Sequence, residues 1–276
     1  MKASLHSRSF AASWHKVPWP LRAVLGLLGS TGILVLVWQT ILIPMQWPPL
    51  GLVAEYFWTS LTKSESYLAA LMTGVRAIVA MSIGFVLALL FSILTGRTIL
   101  GWIGLFFLLL VWQKIPSIAM IHVFVKSKLG IGFVMTVTLA ASVVLTSSWL
   151  ILHHRVRTLD QREVFALRVV GFRGWQLALY GLLPHMGSSI GGAARLGMSV
   201  ALMVVVLGEW QGVWSDGSIW QFGLGVEIGR AYDAVHSQAR VLAWCLWLGL
   251  LGALLDGVVQ AALRFGRIVT GVELKR

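Results

Sequence analysis

The sequence predicts an all-α integral membrane protein with about six transmembrane helices, and three observations predict it. Apolar residues make up 58% of the 276, and charged residues only 12%, well below the roughly 25% of a soluble domain. The apolar residues fall in long unbroken runs, not in the short alternating segments of a barrel. Most ionisable residues stand between those runs or at their ends.

The formal charge is +12. In a soluble protein such an excess would point to nucleic acid. Here the basic residues are scattered among apolar spans, and the expectation is a lipid bilayer as partner and no nucleic acid. The lone cysteine, Cys245, excludes an intrachain disulfide, a CxxC zinc site or an Fe–S cluster.

Each element follows from local composition. Residues 1–22 are polar and basic and form an N-terminal segment, and the first span is 23–43. Its apolar core is too long for a cleavable signal, so it reads as an uncleaved helix. The Trp- and Pro-rich stretch 44–67 suits an interfacial loop with a short amphipathic helix on the membrane surface. The second span is 68–95, a turn follows at Gly96-Arg97-Thr98, and the third span is 99–125, interrupted by QKIPS. The fourth is 131–152 and the fifth 188–209. A Gly/Trp-rich loop from Trp210 to Asp233 precedes the sixth, 238–263. The transmembrane core is thus 23–263, with a polar loop at 153–185 and a basic tail at 264–276.

Charge bias fixes the expected orientation. Lys2, Arg8, Lys16, Arg22, Arg97, the arginines of 153–185 and the basic tail share one side. The other side holds Lys63, Arg76, Lys126, Lys128, Arg230 and Arg240. By the positive-inside rule the richer side, with both termini, is cytoplasmic.

The loop 153–185 is patterned. DQREVFALRVV gives about three helical turns with Asp160 near the start, favourable for the helix dipole. Gly171 stands where a left-handed C-cap is expected. WQLALYGLLP then makes a second short helix, and Pro184 introduces the next span. Such a knob suits a partner's groove, and an ordinary basic loop is the plain alternative.

Charges inside spans are costly, and so are paired or functional. Arg195 and Glu209 are 14 residues apart, about 21 Å along a helix, too far to pair within it. Arg195 is a candidate to line a pathway or to pair with Asp256. Glu209 is a candidate to meet substrate or to cap the outer gate. Lys114 beside Pro116 is a second candidate to attract an anion, because a proline-broken helix can line a cavity. Arg76, near the outer end of its span, is expected to snorkel. His122 reads as a packed polar residue. Ser189, Ala193, Gly197 and Ala201 form a stripe spaced by four, suited to close helix contact at a subunit seam. No P-loop motif, H-E-x-x-H, G-x-S-x-G or catalytic carboxylate pair occurs, so no enzymatic activity is expected of this chain.

Residues 160–184 resemble the cytoplasmic "EAA" signature of permease subunits of bacterial ABC importers, with Ala166, Gly171, Trp175, Gln176, Leu183 and Pro184 in register. Ile190, Arg195 and Glu209 fall where the nitrate/sulfonate/taurine-type permeases carry an isoleucine, a basic residue and a glutamate. KIPSIAMIHVFV…LGIG resembles that group's PIPPLALIPL…FGIG at Ile115, Pro116, Ala119, Gly130 and Gly132. Arg76 and Gly96 match the second span, and LLGALLDGVVQAALRF resembles the last helix around Asp256. Three positions depart: Phe165 replaces the glutamate, Leu167 the second alanine and Val170 the leucine, while Glu163 is out of register.

The resemblance implies a type I ABC importer (MetI-like) permease fold in the bacterial inner membrane. It implies a second permease, two ABC ATPase subunits carrying ATP and Mg, and a periplasmic binding protein, with no cofactor in this chain. It assigns ATPase coupling to Arg162, Glu163, Phe165, Ala166, Arg168, Gly171, Phe172, Arg173 and Pro184. It assigns the translocation pathway to Lys114, Pro116, Arg195, Glu209, Arg76 and Asp256. Arg162, Arg168 and Arg173 are candidates to supply basic docking contacts in place of the glutamate. An ion-gradient-driven transporter or channel and a non-transporting scaffold are the alternatives.

Overall fold

The apolar runs fold as helices. The computed structural model describes residues 18–43, 47–95, 107–112, 114, 115, 132–158, 161–172, 176, 177, 181, 183, 186–211, 222–235 and 237–270, and among them every regular element is helical. In chain order these are α1 (Trp19–Val37, continued by a π-helical turn over Trp38–Leu42), α2 (Leu50–Leu61), α3 (Ser64–Thr95) and α4 (Gly132–Thr158). Then come α5 (Gln161–Val169), α6 (Gly187–Trp210), α7 (Leu224–Val235) and α8 (Gln238–Thr270). Among the described residues, Ser64–Thr95, Phe133–Thr158, Gly187–Trp210 and Gln238–Phe265 are long and apolar enough to cross a membrane. Most of the expected third span, 99–125, lies outside the described residues, as do Pro116, His122, Arg173 and Pro184.

The chain divides into two compact units, Met1–Glu55 and Tyr56–Arg276. In the first, α1 presents Leu25, Leu28, Ile33 and Leu36 outward. The Ile43 amide reaches back five residues to the Trp38 carbonyl at 3.0 Å, which makes its last turn π-helical. The Trp38 indole donates to the Pro48 carbonyl at 3.0 Å and meets the Trp47 ring edge-on at 5.5 Å, folding the chain back beyond the turn.

In the second unit α3 is built inside out relative to a soluble helix. Its buried residues are Ser, Ala, Thr and Gly throughout, with Arg76 the single exception. Its large side chains, among them Leu71, Val75, Ile83, Val86, Leu90 and Leu94, are exposed. Small residues let helix backbones approach where lipid would surround the outer face. A Cβ on Gly84 would meet Val144 Cβ of α4 at 2.8 Å, and one on Gly197 of α6 would meet Ser148 Oγ at 3.0 Å. The core of α3, α4 and α6 thus includes Ala77, Ala80, Ala140, Val144, Ala194 and Ala201.

Helix directions follow from matched contacts. Gly84 meets Val144, while Thr95 reaches His153 at 3.1 Å, so α3 and α4 run parallel. Arg195 pairs with Asp256, and Gly252 lies against Leu202, so α6 and α8 run antiparallel. One end of the bundle therefore holds α5 and the end of α8. The opposite end holds the starts of α3, α4 and α8, the end of α6, and α7.

Several expected boundaries and contacts are corrected. Helix α3 starts at Ser64, four residues before the expected span, and α4 continues to Thr158, beyond the expected span end at 152. The second half of the supposed Gly/Trp-rich loop is helix α7, because its glycines are contact points against α6 instead of helix stops. The stripe Ala193, Gly197 and Ala201 is covered by α4 of the same chain, with the Ser148 hydroxyl donating to the Ala193 carbonyl at 3.2 Å. It is not left open for a second permease.

Candidate functional site

Charged side chains gather at three levels of the bundle. At the end that holds α7, Arg76 and Glu209 form an ion pair with side chains about 1% and 0% exposed. The Arg76 guanidinium donates to Glu209 Oε1 and, at 2.9 Å, to the Phe222 carbonyl. Glu209 Oε2 accepts the Thr73 hydroxyl at 2.8 Å and the Gly225 amide at 3.0 Å. The Thr73 oxygen in turn accepts the Leu224 amide at 2.8 Å. Two free amides in the first turn of α7 are thereby satisfied by α3 and α6, with a carboxylate against the positive end of its dipole.

The local sequence makes this approach feasible. A Cβ on Gly223 would meet the Glu209 carboxyl carbon at 2.5 Å, and one on Gly225 would meet Glu209 Cβ at 2.6 Å. Only glycine lets the backbone of α7 come this close. The expectation that Arg76 snorkels is overturned: its guanidinium turns inward to a carboxylate and a carbonyl, because an unpaired buried charge would be far costlier. Glu209 is likewise enclosed, its carboxylate held by α3 and by the start of α7.

Midway along the bundle, Arg195 and Asp256 form a two-point ion pair, Nε to Oδ1 at 2.7 Å and Nη2 to Oδ2 at 3.0 Å. Gln260 donates to Asp256 Oδ2 at 2.7 Å, which fixes the acceptor. These side chains are 54% and 33% exposed in the single chain. Arg195 stands eight residues into α6, about 12 Å from its start. A paired guanidinium thus opens onto the flank of two apolar helices. Lys114, also exposed, lies in the short helical piece of the third expected span, and Pro116 lies outside the described residues.

At the other end, α5 closes with a full Schellman arrangement. The Phe172 amide donates to the Leu167 carbonyl at 3.1 Å and the Gly171 amide to the Arg168 carbonyl at 3.0 Å. Gly171 has φ +104, a conformation that a Cβ disfavours. The helix shows solvent Phe165, Val169 and Val170, at 67%, 71% and 75% exposure, with Arg162, Ala166 and Arg168 exposed beside them. Phe172, half-buried, follows the glycine, and Glu163 lies within the helix. Behind α5, the Trp149 indole donates to Thr95 Oγ1 at 3.2 Å, and that hydroxyl also meets His153 Nδ1 at 3.1 Å. This network ties the end of α3 to the end of α4, from which α5 departs.

No known family model matches the chain, and no curated protein matches it.

Proposed function

We propose that the chain is the transmembrane permease subunit of an ATP-binding-cassette importer of the nitrate/sulfonate/taurine type, moving a small anion by alternating access. The observation that carries this reading is α5. It is a short helix between two long apolar ones, ended by Gly171 in a left-handed turn and offering bare Phe165, Val169 and Val170. Exposed large apolar groups on a short polar helix mark a protein contact. Phe165, at the signature's glutamate position, makes that contact apolar where the family pattern is acidic.

Two further features support the reading. Parallel α3 and α4 require the chain to return between Thr95 and Gly132, in keeping with a third span at 99–125 and about six in all. The exposed Arg195–Asp256 pair is poorly placed against lipid, and an aqueous path or a second permease would cover it. The charge bias supports a cytoplasmic side for α5 and the tail, and in this reading the membrane is a bacterial inner membrane. ATP and Mg would sit on separate ATPase chains, and a periplasmic binding protein would deliver the solute. Each nucleotide state would then favour a different tilt of the helices through α5.

The test is co-expression with the neighbouring genes and purification in mild detergent. An ATPase chain should co-purify and cross-link to a photoreactive residue placed at 165. Co-purification of no ATPase would sink the docking claim.

A further inference from the structure

Three helices each turn one stripe of side chains toward a common cavity of about 360 Å³ at the α7 end of the bundle. Tyr56 of α2 and Lys63 just after it form one wall, Glu227 and Arg230 of α7 the second, and Arg240 and Trp244 of α8 the third. The intervals of three and four residues place Glu227 with Arg230, and Arg240 with Trp244, on one face of their helices, and Lys63 follows the end of α2. The wall from α2 is held firmly: the Trp247 indole donates to Ser60 Oγ at 2.7 Å, and Trp247 also packs against Phe57 and Tyr67. The α7 wall is fixed by its amide bonds to Glu209 and Thr73.

The charge of this cavity is unbalanced. Among the described side chains lining it, Lys63, Arg230 and Arg240 face one carboxylate, Glu227. Glu227 engages Arg230 at 2.7 Å. Among the described residues Lys63 and Arg240 form no ion pair, and the Arg240 guanidinium lies 5.1 Å from the centre of the Tyr56 ring, held by a cation–π contact. Two uncompensated cations therefore meet across a preformed recess, beside the flat apolar faces of Tyr56 and Trp244. A cavity of this size suits a small ligand, and a few convergent polar groups set its orientation.

We infer that this cavity binds a small organic oxyanion, with the charged head between Lys63 and Arg240 and a short apolar stem against Tyr56 and Trp244. The ligand is either a free solute or the headgroup of an anionic phospholipid. The binding itself does not depend on the importer reading; only its placement at the outer face rests on that orientation. Arg195 and Lys114, the cations singled out in the sequence, belong to none of the three walls.

The test uses the full chain in a non-ionic detergent, with no ATPase present. Ethanesulfonate is the soluble probe, read by calorimetry and by the shift of the thermal midpoint. Binding is expected, with Lys63→Gln and Arg240→Gln each weakening it about tenfold or more, Arg240→Lys weakening it less, and Arg264→Gln, far along α8, leaving it unchanged. Should ethanesulfonate fail, nanodiscs of phosphatidylglycerol should raise the midpoint over phosphatidylcholine in an Arg240-dependent way, identifying a lipid headgroup. No binding in either arm, or an equal effect of Arg264→Gln, overturns the inference. Intact binding in a chain that recruits no ATPase would overturn the importer reading instead and leave this site standing.

Discussion

Arg76 of α3 and Glu209 of α6, 133 residues apart in sequence, close a buried ion pair onto which the first turn of α7 is hung. Removing one partner strands the other charge, at a cost of about 3–5 kcal/mol. Arg76→Ala and Glu209→Ala should therefore each lower the unfolding midpoint sharply in detergent. The double variant Arg76→Met/Glu209→Met should lose much less than the sum of the two single losses. Additive losses would show that the two side chains act independently.

Gly225 faces Glu209 across a gap with no room for a side chain. Gly225→Val should push α7 off α6, an overpacking cost of about 1–3 kcal/mol. Limited proteolysis should then cut between residues 212 and 235 before any cut in α3 or α4. A cleavage pattern like that of the wild-type chain would contradict the contact.

Gly171→Ala forces a Cβ onto φ +104, at a local cost of about 1–3 kcal/mol. Because α5 is exposed, the global unfolding midpoint should barely move. The loss should show as faster amide exchange across Gln161–Val169 and, by the proposed function, as ATP hydrolysis uncoupled from uptake. The same should hold for Gly171→Asp, and normal uptake by that variant would count against the coupling role.

The Arg195–Asp256 pair is exposed and orders no other element besides Gln260. Arg195→Gln and Asp256→Asn should leave the midpoint near that of the wild type while, by the proposed function, strongly reducing uptake. The exchange Arg195→Asp/Asp256→Arg separates two roles. Restored uptake would make the pair a structural tie, and continued failure would place the guanidinium in contact with the anion.

What could be read along the chain depended on local rules. The long apolar runs gave α3, α4, α6 and α8, because a helix satisfies its own backbone polar groups inside a bilayer wherever it lies. Gly171 could be identified as the end of α5 since a left-handed stop is decided by a few consecutive residues. Asp256 was a foreseeable partner for Arg195 because two charges deep in apolar helices need each other.

Other features depended on which helix ends meet. In isolation Gly223, Gly225 and Gly229 read as a loop, and α7 forms because α6 and α3 supply partners for its first amides. Arg76 resembled a snorkelling residue until Glu209 was brought beside it. The stripe through Gly197 resembled a subunit seam until Ser148 and Val144 of α4 filled it. Thus the sequence by itself determined the helical, lipid-facing class, the long helices and the capped α5, each governed by hydropathy or short-range hydrogen bonding. Tertiary structure alone decided the Arg76–Glu209 pairing, the helicity of α7 and the gathering of Lys63, Arg230 and Arg240, because these require helices distant in sequence to arrive at one place.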